Sequence, residues 1–432
     1  EEGELFEYNP SHQESQRIQE TLFHEKQTII ENCLFGVDIN SNSVKICRLR
    51  LWIELLKNAY YKNATELETL PNIDINIKCG NSLVSRFAID ADLKQALKKS
   101  KWTIDSYRIA VDTYKNAESK EEKRQMEKLI SDIKSDFRTE ISKSDPKRKK
   151  LIKLKEELIN ATKPKLFELT KIEIANLNRK AQQVTKEAKK LETEIEDIKA
   201  NKIFENAFEW RFEFPEVLND DGDFVGFDVV IGNPPYGVSI KDKTERDYLI
   251  SNLLKVPDFE IYYWFINKAY HILKHNGVIS YIIPNTILFN VFAQSYRMSL
   301  FENWTLNEFL DCTNINIFED ATVRNIIFQF TKSYSQENKL GYKNTANANS
   351  FEALANRKLQ NISKQSAETN IQNWGLIFKL DKDTLDVVEK IKSDKTQLIE
   401  LFPEASQGLI AYDKYQGQSQ EIIKNRVYHH FS

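Results

Sequence analysis

The sequence predicts an α/β fold in which helices cover a mostly parallel β-sheet. Residues 33–38 form a short apolar run that ends in an acid, a pattern typical of a buried parallel strand. Apolar residues recur at helical spacing over residues 41–56, and a second strand followed by a turn is predicted over residues 73–83. Strand, helix and strand in this order indicate a parallel α/β unit.

A similar pattern returns after residue 204. Residues 227–231 predict an apolar strand that ends at the sequence Gly-Asn-Pro-Pro-Tyr, and residues 257–274 predict an aromatic-rich amphipathic helix. A further buried strand is predicted over residues 278–283. Residues 305–311 and 323–330 predict two more strands, which we expect to pair as a hairpin at the edge of the sheet.

Between these two parts the chain is charged and predicted to be helical. Residues 92–200 contain 28 Lys and Arg against 20 Asp and Glu, whereas the rest of the chain contains 33 against 44. Leu151, Leu154 and Leu158 lie at the spacing of an antiparallel coiled coil whose turn falls near residues 143–146 or 163–164. Two interpretations are open: a solvated helical insertion without chemistry, or one in which residues 147–155 contact the phosphates of a nucleic acid.

The remaining segment, after the predicted strands, changes composition. Residues 333–356 are polar and predict a linker, and short strand and helix signals follow from residue 371 onward. The expected organisation is a first part of the globular domain, a charged helical insertion, a second part of the globular domain, and a linker with a truncated further domain. These segments are residues 1–91, 92–201, 202–335 and 336–432.

Composition excludes several classes of protein. The four cysteines contain no Cys-x-x-Cys pair, so neither a disulfide scaffold nor a zinc knuckle is expected, and no metal site is predicted. The longest apolar stretch, residues 277–292, is interrupted by proline and asparagine, so no membrane span is expected. The sequence does not begin like a secretory signal, and a reducing cytoplasmic compartment is the expectation.

The tetrapeptide Asn233-Pro234-Pro235-Tyr236 is the strongest candidate for chemistry. It follows a predicted strand, at the end where open α/β sheets bind ligands. Two prolines make the loop rigid and remove two N–H donors, so the loop presents mainly acceptors. An Asn oxygen and a Pro carbonyl suit a group that donates two hydrogen bonds, such as an exocyclic amino group, and tyrosine offers a stacking face. The alternative is a tight loop that only closes the strand.

Three further residues are weaker candidates. Asp38, at the tip of the first predicted strand, could accept hydrogen bonds from both hydroxyls of a ribose, or could be a helix cap or a solvated acid. Asn81 could contact the adenine ring of the same cofactor. Phe318, between the last two predicted strands, could belong to the core or could face a base.

Together these motifs resemble a known family. Asn233–Tyr236 and the strand before it look like the catalytic motif of amino-group DNA methyltransferases. Three more motifs resemble those of the adenine-specific methyltransferases of type II restriction–modification systems in which modification and cleavage share one polypeptide, the IIG-like type. They are Phe35-Gly-Val-Asp38-Ile-Asn, Phe212-Glu-Phe-Pro-Glu216 and Phe318-Glu-Asp-Ala-Thr-Val323. The resemblance covers residues 1–91 and 202–335.

This resemblance implies a seven-stranded, mostly parallel sheet that binds S-adenosylmethionine. Asp38 would hold the cofactor ribose, Ile39 would pack beside its adenine, and Asn81 and Leu83 would line the adenine pocket. In the active site, Asn233 and Pro234 would accept hydrogen bonds from the amino group of an adenine flipped out of double-stranded DNA. Tyr236 would stack on this base, and Phe318 would form the opposite wall. Pro235 completes the motif.

The sequence also departs from the family. The family has a Gly-rich cofactor loop whose place lies just before Glu1, and this sequence contains no Gly-x-Gly, so a fragment that begins after this loop is expected. Pro257-Asp258 starts a predicted helix, where the acid would be a cap, and no nuclease motif follows. Any restriction endonuclease domain or subunit is therefore expected outside this chain.

The function that the resemblance implies is methyl transfer from S-adenosylmethionine to N6 of adenine in DNA. Two alternatives remain at this point. One is an amino-group methyltransferase that acts on RNA or on a protein glutamine, and the other is a DNA-binding remnant without catalysis.

Overall fold

The computed structural model describes residues 6–63, 65–68, 70–89, 98–144, 146–162, 171–200, 202–318, 323–333, 339–343, 350–380, 382–392, 396 and 398–401. The chain forms two compact units, Glu1–Gly375 and Leu376–Ser432. The sheets and every candidate site residue belong to the first unit. None of the helices in the described ranges combines the length and the apolar composition needed to cross a membrane.

The described residues form both helices and strands, as the sequence predicts for an α/β fold. The helices are α1 Gln13–Cys33, α2 Ser41–Leu56, α3 Ile104–Lys115, α4 Lys120–Ser144, α5 Pro146–Thr162, α6 Lys171–Ala200, α7 Trp210–Glu213, α8 Lys243–Leu253, α9 Ile261–Ile272, α10 Gln294–Asn303, α11 Phe351–Ala355, α12 Lys364–Thr369, α13 Trp374–Ile377, α14 Lys382–Lys392 and α15 Leu398–Leu401. The strands are β1 Gly36–Asp38, β2 Ile77–Cys79, β3 Phe227–Gly232, β4 Leu273–Pro284, β5 Thr305–Asp311, β6 Asn325–Thr331, β7 Lys339–Lys343 and β8 Gln360–Ser363.

The described strands form two sheets, one of two strands and one of six. In the small sheet β1 and β2 are parallel. In the large sheet the order is β3-β4-β6-β5-β7-β8, with parallel pairs β3–β4 and β5–β7. The pairs β4–β6, β6–β5 and β7–β8 are antiparallel. The α/β class is therefore confirmed, but the sheets are mixed, and among the described strands no single seven-stranded sheet forms.

Local patterns predicted several elements well. The helix expected over residues 41–56 is α2, and its N-cap is Asn40, whose side chain accepts a hydrogen bond from the main-chain N–H of Asn42. The strands expected over residues 305–311 and 323–330 are β5 and β6, and they pair antiparallel. Their predicted position at the sheet edge is wrong, because β6 lies between β4 and β5 and β5 pairs further with β7.

Several boundaries differ from the prediction: the helix expected over residues 257–274 is Ile261–Ile272, and the strand expected over residues 278–283 begins at Leu273. The run expected as a strand over residues 33–38 is shorter, because α1 extends to Cys33 and β1 begins only at Gly36. Part of the predicted polar linker is strand β7, which pairs with β5 on one side and β8 on the other. This strand is buried by partners distant in sequence, which its own composition does not reveal.

The first half of the charged region packs into the globular core. Helices α3 and α4 bury an apolar stripe that includes Tyr107 and Phe137, and this stripe packs against Phe212 and Leu218 of the second part of the domain. The hydroxyl of Tyr107 donates a hydrogen bond to the main-chain oxygen of Phe212 at 2.6 Å. These two helices are therefore covered on one face, although their sequence is dense in Lys and Glu.

The second half of the charged region is a pair of helices that share a narrow seam. Helix α4 ends at Ser144 and α5 ends at Thr162, close to the two turn positions that the sequence predicts. Leu154 of α5 and Ala188 of α6 are buried in the seam. Lys150 pairs with Glu187 at 2.6 Å, and Lys155 pairs with Glu192. These pairs flank the seam on both sides, as expected for an antiparallel coiled coil.

A buried ion-pair network fixes α4 to the core. The carboxylate of Glu213 lies 2.7 Å from Nζ of Lys134 and 3.1 Å from Nζ of Lys78 in β2. Arg138 reaches the second oxygen of the same carboxylate at 3.4 Å. Burial by itself would raise the pKa of Glu213, but Lys78 and Lys134 lower this pKa to about 2. One carboxylate therefore joins β2, α4 and α7.

We expect Glu213→Gln to destabilise the protein by about 3–5 kcal/mol at pH 7, because two buried ammonium groups lose their counter-charge. The lowered pKa of Glu213 stabilises the folded state above the ordinary carboxyl pKa of 4.5, and this contribution is lost as the pH falls towards about 2. The difference in unfolding free energy between wild type and variant should therefore shrink from pH 5 to pH 2. Urea unfolding at several pH values measures it.

The matched control is Glu14→Gln, which removes an exposed carboxylate from the surface pair with Arg17. This control should unfold like the wild type at every pH. A Glu213→Gln protein as stable as the control at pH 7 would show that the network does not hold α4 in place.

Candidate functional site

The first group of predicted site residues lies at the carboxyl ends of β1 and β2. Asp38 is exposed at the end of β1, and its Oδ1 accepts a hydrogen bond from the main-chain N–H of Asn40 at 2.6 Å. The main-chain oxygen of Asp38 accepts from Gly80, so the ends of the two strands are tied together. Ile39 follows with 63% of its surface exposed. An exposed carboxylate beside an exposed apolar side chain suits a sugar joined to a flat base.

Asn81 and Leu83 form the turn after β2. The side-chain oxygen of Asn81 accepts from the main-chain N–H of Leu83 at 3.1 Å, and Asn81 N donates to the main-chain oxygen of Asn206 at 2.6 Å. Leu83 is 3% exposed, so its side chain supports the turn from inside. The structure therefore brings Asp38, Ile39 and Asn81 to one edge. Their roles toward a cofactor remain predictions.

A buried acid that the sequence analysis missed supports this turn. Glu209 accepts hydrogen bonds from the hydroxyl of Ser85 at 2.7 Å and from the main-chain N–H groups of Arg86 and Phe87. On the other side, Ser85 exchanges two hydrogen bonds with the hydroxyl of Tyr248. Glu209 lies between Phe208 and Trp210, and an acid flanked by aromatic residues indicates a buried, partnered carboxylate. That signal could have identified it.

The second group is the loop Asn233–Tyr236 at the carboxyl end of β3. Asn233 and Pro235 are exposed, Pro234 is buried and Tyr236 is half-buried. The hydroxyl of Tyr236 lies 3.0 Å from the main-chain oxygen of Ile282 in β4 and also contacts Oδ1 of Asn233. Burial raises the pKa of Tyr236 to about 12, so this hydroxyl keeps its proton and donates to one of the two oxygens at a time.

The backbone turns sharply after Tyr236. Gly237 has a φ of 63°, a left-handed conformation that suits glycine. The chain then pairs with the segment before α9, where Ile261 N donates to the main-chain oxygen of Val238 and Ile240 N donates to that of Phe259. The loop that carries Asn233 is therefore held on both sides, by β4 and by the start of α9.

Asp258 has a different role from the one predicted. The sequence predicts a helix cap there, but Asp258 has a left-handed φ of 50°, and α9 begins after Glu260 without a side-chain cap. The carboxylate of Asp258 accepts a hydrogen bond from Nδ2 of Asn290 at 2.6 Å. Oδ1 of Asn290 in turn accepts from the main-chain N–H of Phe292, whose side chain is 74% exposed. Asn290 thus joins the loop after β4 to the segment before α9.

An aromatic core connects the two groups. Phe35 and Val37 of the β1 region pack in one cluster with Phe227 and Val230 of β3. The ring centroids of Phe35 and Phe227 are 5.7 Å apart. Phe318 is half-buried in the segment after β5. Within the described residues no hydrogen bond or ring contact joins it to Tyr236, so its role as a second wall remains a prediction.

In the part of the chain that the structure describes, no group of three or more His, Cys, Asp or Glu side chains lies close enough to hold a metal ion. The residues at the two strand ends offer hydrogen-bond acceptors, an exposed carboxylate and aromatic faces.

Comparison with known proteins agrees with this arrangement. The family model "Eco57I restriction-modification methylase" matches residues 32–318, about two thirds of the chain. The chain belongs to this family. The matched range contains both groups of site residues and the whole charged helical region, so the helical region lies inside the family's domain. The family membership confirms the resemblance to the DNA methyltransferases of restriction–modification systems.

Curated relatives point the same way. A putative type II restriction enzyme and methyltransferase of Methanocaldococcus jannaschii is 29% identical over 332 residues, which are 71% of this chain and 26% of the relative. The type II methyltransferase M.BanIII of Aneurinibacillus aneurinilyticus is 29% identical over 125 residues, 29% of this chain and 21% of the relative. The chain therefore spans about a quarter or less of the length of these relatives.

Solved structures resemble the chain only loosely. A type I restriction-modification methyltransferase subunit from Streptococcus thermophilus is 19% identical, with a TM-score of 0.30, over 36% of this chain and 39% of that one. The type IIG restriction endonuclease BpuSI is 15% identical, with a TM-score of 0.28, over 49% of this chain and 29% of that one. Both TM-scores are low, so these structures carry no argument about the site.

Proposed function

We propose that this chain is the catalytic part of a DNA methyltransferase that transfers a methyl group from S-adenosylmethionine to N6 of adenine within a restriction–modification system. The observation that carries the proposal is the acceptor loop Asn233–Tyr236, held at the carboxyl end of β3 in a member of the Eco57I methylase family. The curated relatives are named as type II methyltransferases or as combined restriction enzymes and methyltransferases, which supports DNA as the substrate.

The acceptor loop fits the amino group of adenine. Oδ1 of Asn233 and the main-chain oxygen of Pro234 would each accept a hydrogen bond from the amino group. These two hydrogen bonds would draw electron density onto the nitrogen and direct its lone pair away from the ring. Tyr236 would stack on the base after it leaves the duplex, and Phe318 would close the other side. Because the two prolines fix the loop, positioning and acceptor strength would contribute more than proton transfer.

The contact between Tyr236 and Asn233 bears on this proposal. Oδ1 of Asn233, the acceptor proposed for adenine, is already contacted by the hydroxyl of Tyr236. The same hydroxyl has an alternative acceptor in the main-chain oxygen of Ile282 at 3.0 Å. An incoming amino group can therefore donate to Oδ1 of Asn233 while the hydroxyl of Tyr236 donates to the main-chain oxygen of Ile282 in β4.

We expect Asn233→Ala to lower methyl transfer at least about 100-fold with little change in DNA affinity, because one preorganised acceptor is lost. Tyr236→Phe is the matched control. It removes the hydroxyl that contacts Asn233 but keeps the aromatic face, and it should change the rate less than about tenfold. Both variants are assayed in the full-length protein with labelled S-adenosylmethionine and duplex DNA.

The same assay tests the reaction itself, when the labelled DNA is digested to nucleosides. Label in N6-methyladenine is the expected result. Label in RNA or in protein would instead favour an amino-group methyltransferase of another substrate class. Folded protein that binds DNA without transferring label would favour the non-catalytic remnant.

The residues at the ends of β1 and β2 fit the nucleoside half of S-adenosylmethionine. Oδ1 of Asp38 is held by Asn40 at 2.6 Å, and the carboxylate remains exposed toward solvent. In the proposed complex Asp38 would accept hydrogen bonds from the ribose hydroxyls, Ile39 would pack on the adenine, and Asn81 and Leu83 would shape the pocket beside it. When bound, the cofactor would supply an electrophilic methyl group.

Asp38→Ala should weaken the binding of S-adenosylmethionine by an order of magnitude or more, because a charge-assisted hydrogen bond to the ribose is lost. Titration calorimetry on the full-length protein measures this without turnover. Asp220→Ala, which removes an exposed acid that pairs with Arg108, is the control and should bind as the wild type does. Equal affinity in all three proteins would remove Asp38 from the site.

We also propose that one further parallel strand lies between β1 and β3. In the described sheets β1 pairs only with β2, and β3 pairs only with β4. One added strand would join β2, β1, β3, β4, β6 and β5 into the seven-stranded sheet of the methyltransferase fold, and would carry the Gly-rich cofactor loop.

Hydrogen exchange in the full-length protein tests this added strand. Pairing with β4 protects only the amides on one edge of β3, since successive amides of a strand point to opposite edges. We expect protection at both edges of residues 227–232 if the further strand pairs there. Rapid exchange at the edge away from β4 would contradict the seven-stranded arrangement.

The proposal assigns the remaining segments of the chain as follows. Residues 336–432 would begin the domain that recognises the DNA sequence, with β7 and β8 as its connection to the sheet. Cleavage would belong to a nuclease domain or subunit outside these 432 residues, and the protein would work at chromosomal DNA in the cytoplasm.

A further inference from the structure

Helix α6 presents a basic face that its coiled-coil partner does not cover. Ala188 is buried against α5, and Ala181, Val184 and Leu191 lie half-buried on the same side of the helix. The opposite side carries four exposed cations, Arg179, Lys186, Lys189 and Lys190. Because a helix rises about 1.5 Å per residue, these cations form a stripe about 16 Å long.

The acids of the same stretch are all engaged elsewhere. Over residues 178–193, where the structure describes the side chains, the carboxylates are Glu187 and Glu192. Glu187 pairs with Lys150 and Glu192 pairs with Lys155, both across the seam to α5. Over residues 178–193 the outer face of α6 therefore carries positive charge and no carboxylate, and the next acid along the sequence is Glu194. Such a face is complementary to a polyanion.

We propose that this outer face of α6, defined by Arg179, Lys186, Lys189 and Lys190, binds the phosphate backbone of the DNA duplex that enters the candidate active site. This inference rests on DNA being the substrate in the proposed function. A stripe of about 16 Å is long enough to follow several phosphates on one strand of a duplex. Contacts of this kind position the DNA and do not read its sequence.

The position of α6 in the fold supports DNA as the occupant. After α6 the chain passes through residues 202–204 into Ala207, which bridges Asn81 at the end of β2. Lys190 lies about 15 Å along the helix from Ala200, where α6 ends. The basic face and the candidate cofactor edge at Asn81 are thus joined by one short segment of the chain.

The partner helix α5 is a weaker candidate for the same contact. Its outer face also carries Lys149 and Lys153, but it includes Glu156 and the exposed apolar side chains Ile152 and Ile159. Lys150 and Lys155 on the same helix are engaged by the acids of α6. One interpretation of the sequence is that residues 147–155 of α5 contact nucleic-acid phosphates. The outer face of α6 suits such a contact better.

Two matched double variants test the inference. Lys186→Gln with Lys190→Gln removes two charges, four residues apart, from the outer face of α6. Lys149→Gln with Lys153→Gln removes two charges at the same spacing from the outer face of α5. Glutamine preserves helix propensity, and circular dichroism verifies that each variant is folded. The readout is the affinity of the full-length protein for a duplex DNA, measured by fluorescence anisotropy over a range of salt concentrations.

The α6 variant should bind DNA more weakly, and the slope of log affinity against log salt should fall by about 1 to 2, because each lost phosphate contact contributes about 0.9. The α5 variant should keep the wild-type slope.

Other outcomes overturn the inference. A lower slope in the α5 variant alone would place the contact on α5, and equal reductions in both variants would indicate only a general effect of net charge. An unchanged slope in the α6 variant would leave its basic face solvated. Because binding is measured without catalysis, a wild-type protein that binds DNA but transfers no methyl group would defeat the proposed function and not this inference.

Discussion

The packing of three phenylalanine rings holds the two halves of the candidate site together. Phe35 precedes β1, Phe227 begins β3, and Phe214 lies between them, with ring centroids 5.0 to 6.0 Å apart. Edge-to-face pairs of this kind contribute about 0.5–1.5 kcal/mol each beyond the burial of their surface. The described strands β1 and β3 share no hydrogen bonds, so the relative position of Asp38 and Asn233 depends on this aromatic core.

Sequence patterns predict the elements that the residues of the element alone are enough to identify. Residues 227–231 form an apolar run, and α2 has apolar residues at helical spacing. Both patterns can be recognised without knowing which other elements pack against them. Strand β7 could not be found in this way, because Leu340 and Tyr342 are buried by pairing with β5 and β8. Helices α3 and α4 belong to the stretch that the sequence predicts as a charged helical insertion. Their many charges conceal Tyr107 and Phe137, which are buried against Phe212 and Leu218, more than 70 positions away.

The site divides in the same manner. The positions of Asp38 and Asn233 could be predicted because Asp38 ends a strand and Asn233 follows one, and the carboxyl ends of parallel strands are where α/β proteins bind ligands. Asn290 and Ile282, which support the loops around Asn233, could not, since they act through contacts between distant segments. The sequence predicts which groups would face a ligand. The three-dimensional packing determines which groups keep them in place.

The charged helical region and the candidate cofactor edge are mechanically linked. Helix α4 is fixed to β2 through Glu213 and Lys78, and α6 returns to the same strand through the bridge of Ala207 with Asn81. Lys78 pairs with Val37 in the small sheet, and Asn81 follows Gly80, whose N–H donates to the main-chain oxygen of Asp38. Lys78 and Asn81 therefore both lie beside the end of β1. The helical region is therefore attached at two points beside the strand end at which the nucleoside is proposed to bind. For the proposed function, DNA bound along α6 would be positioned relative to the cofactor by a buried ion pair and two strand ends, and not by a flexible linker.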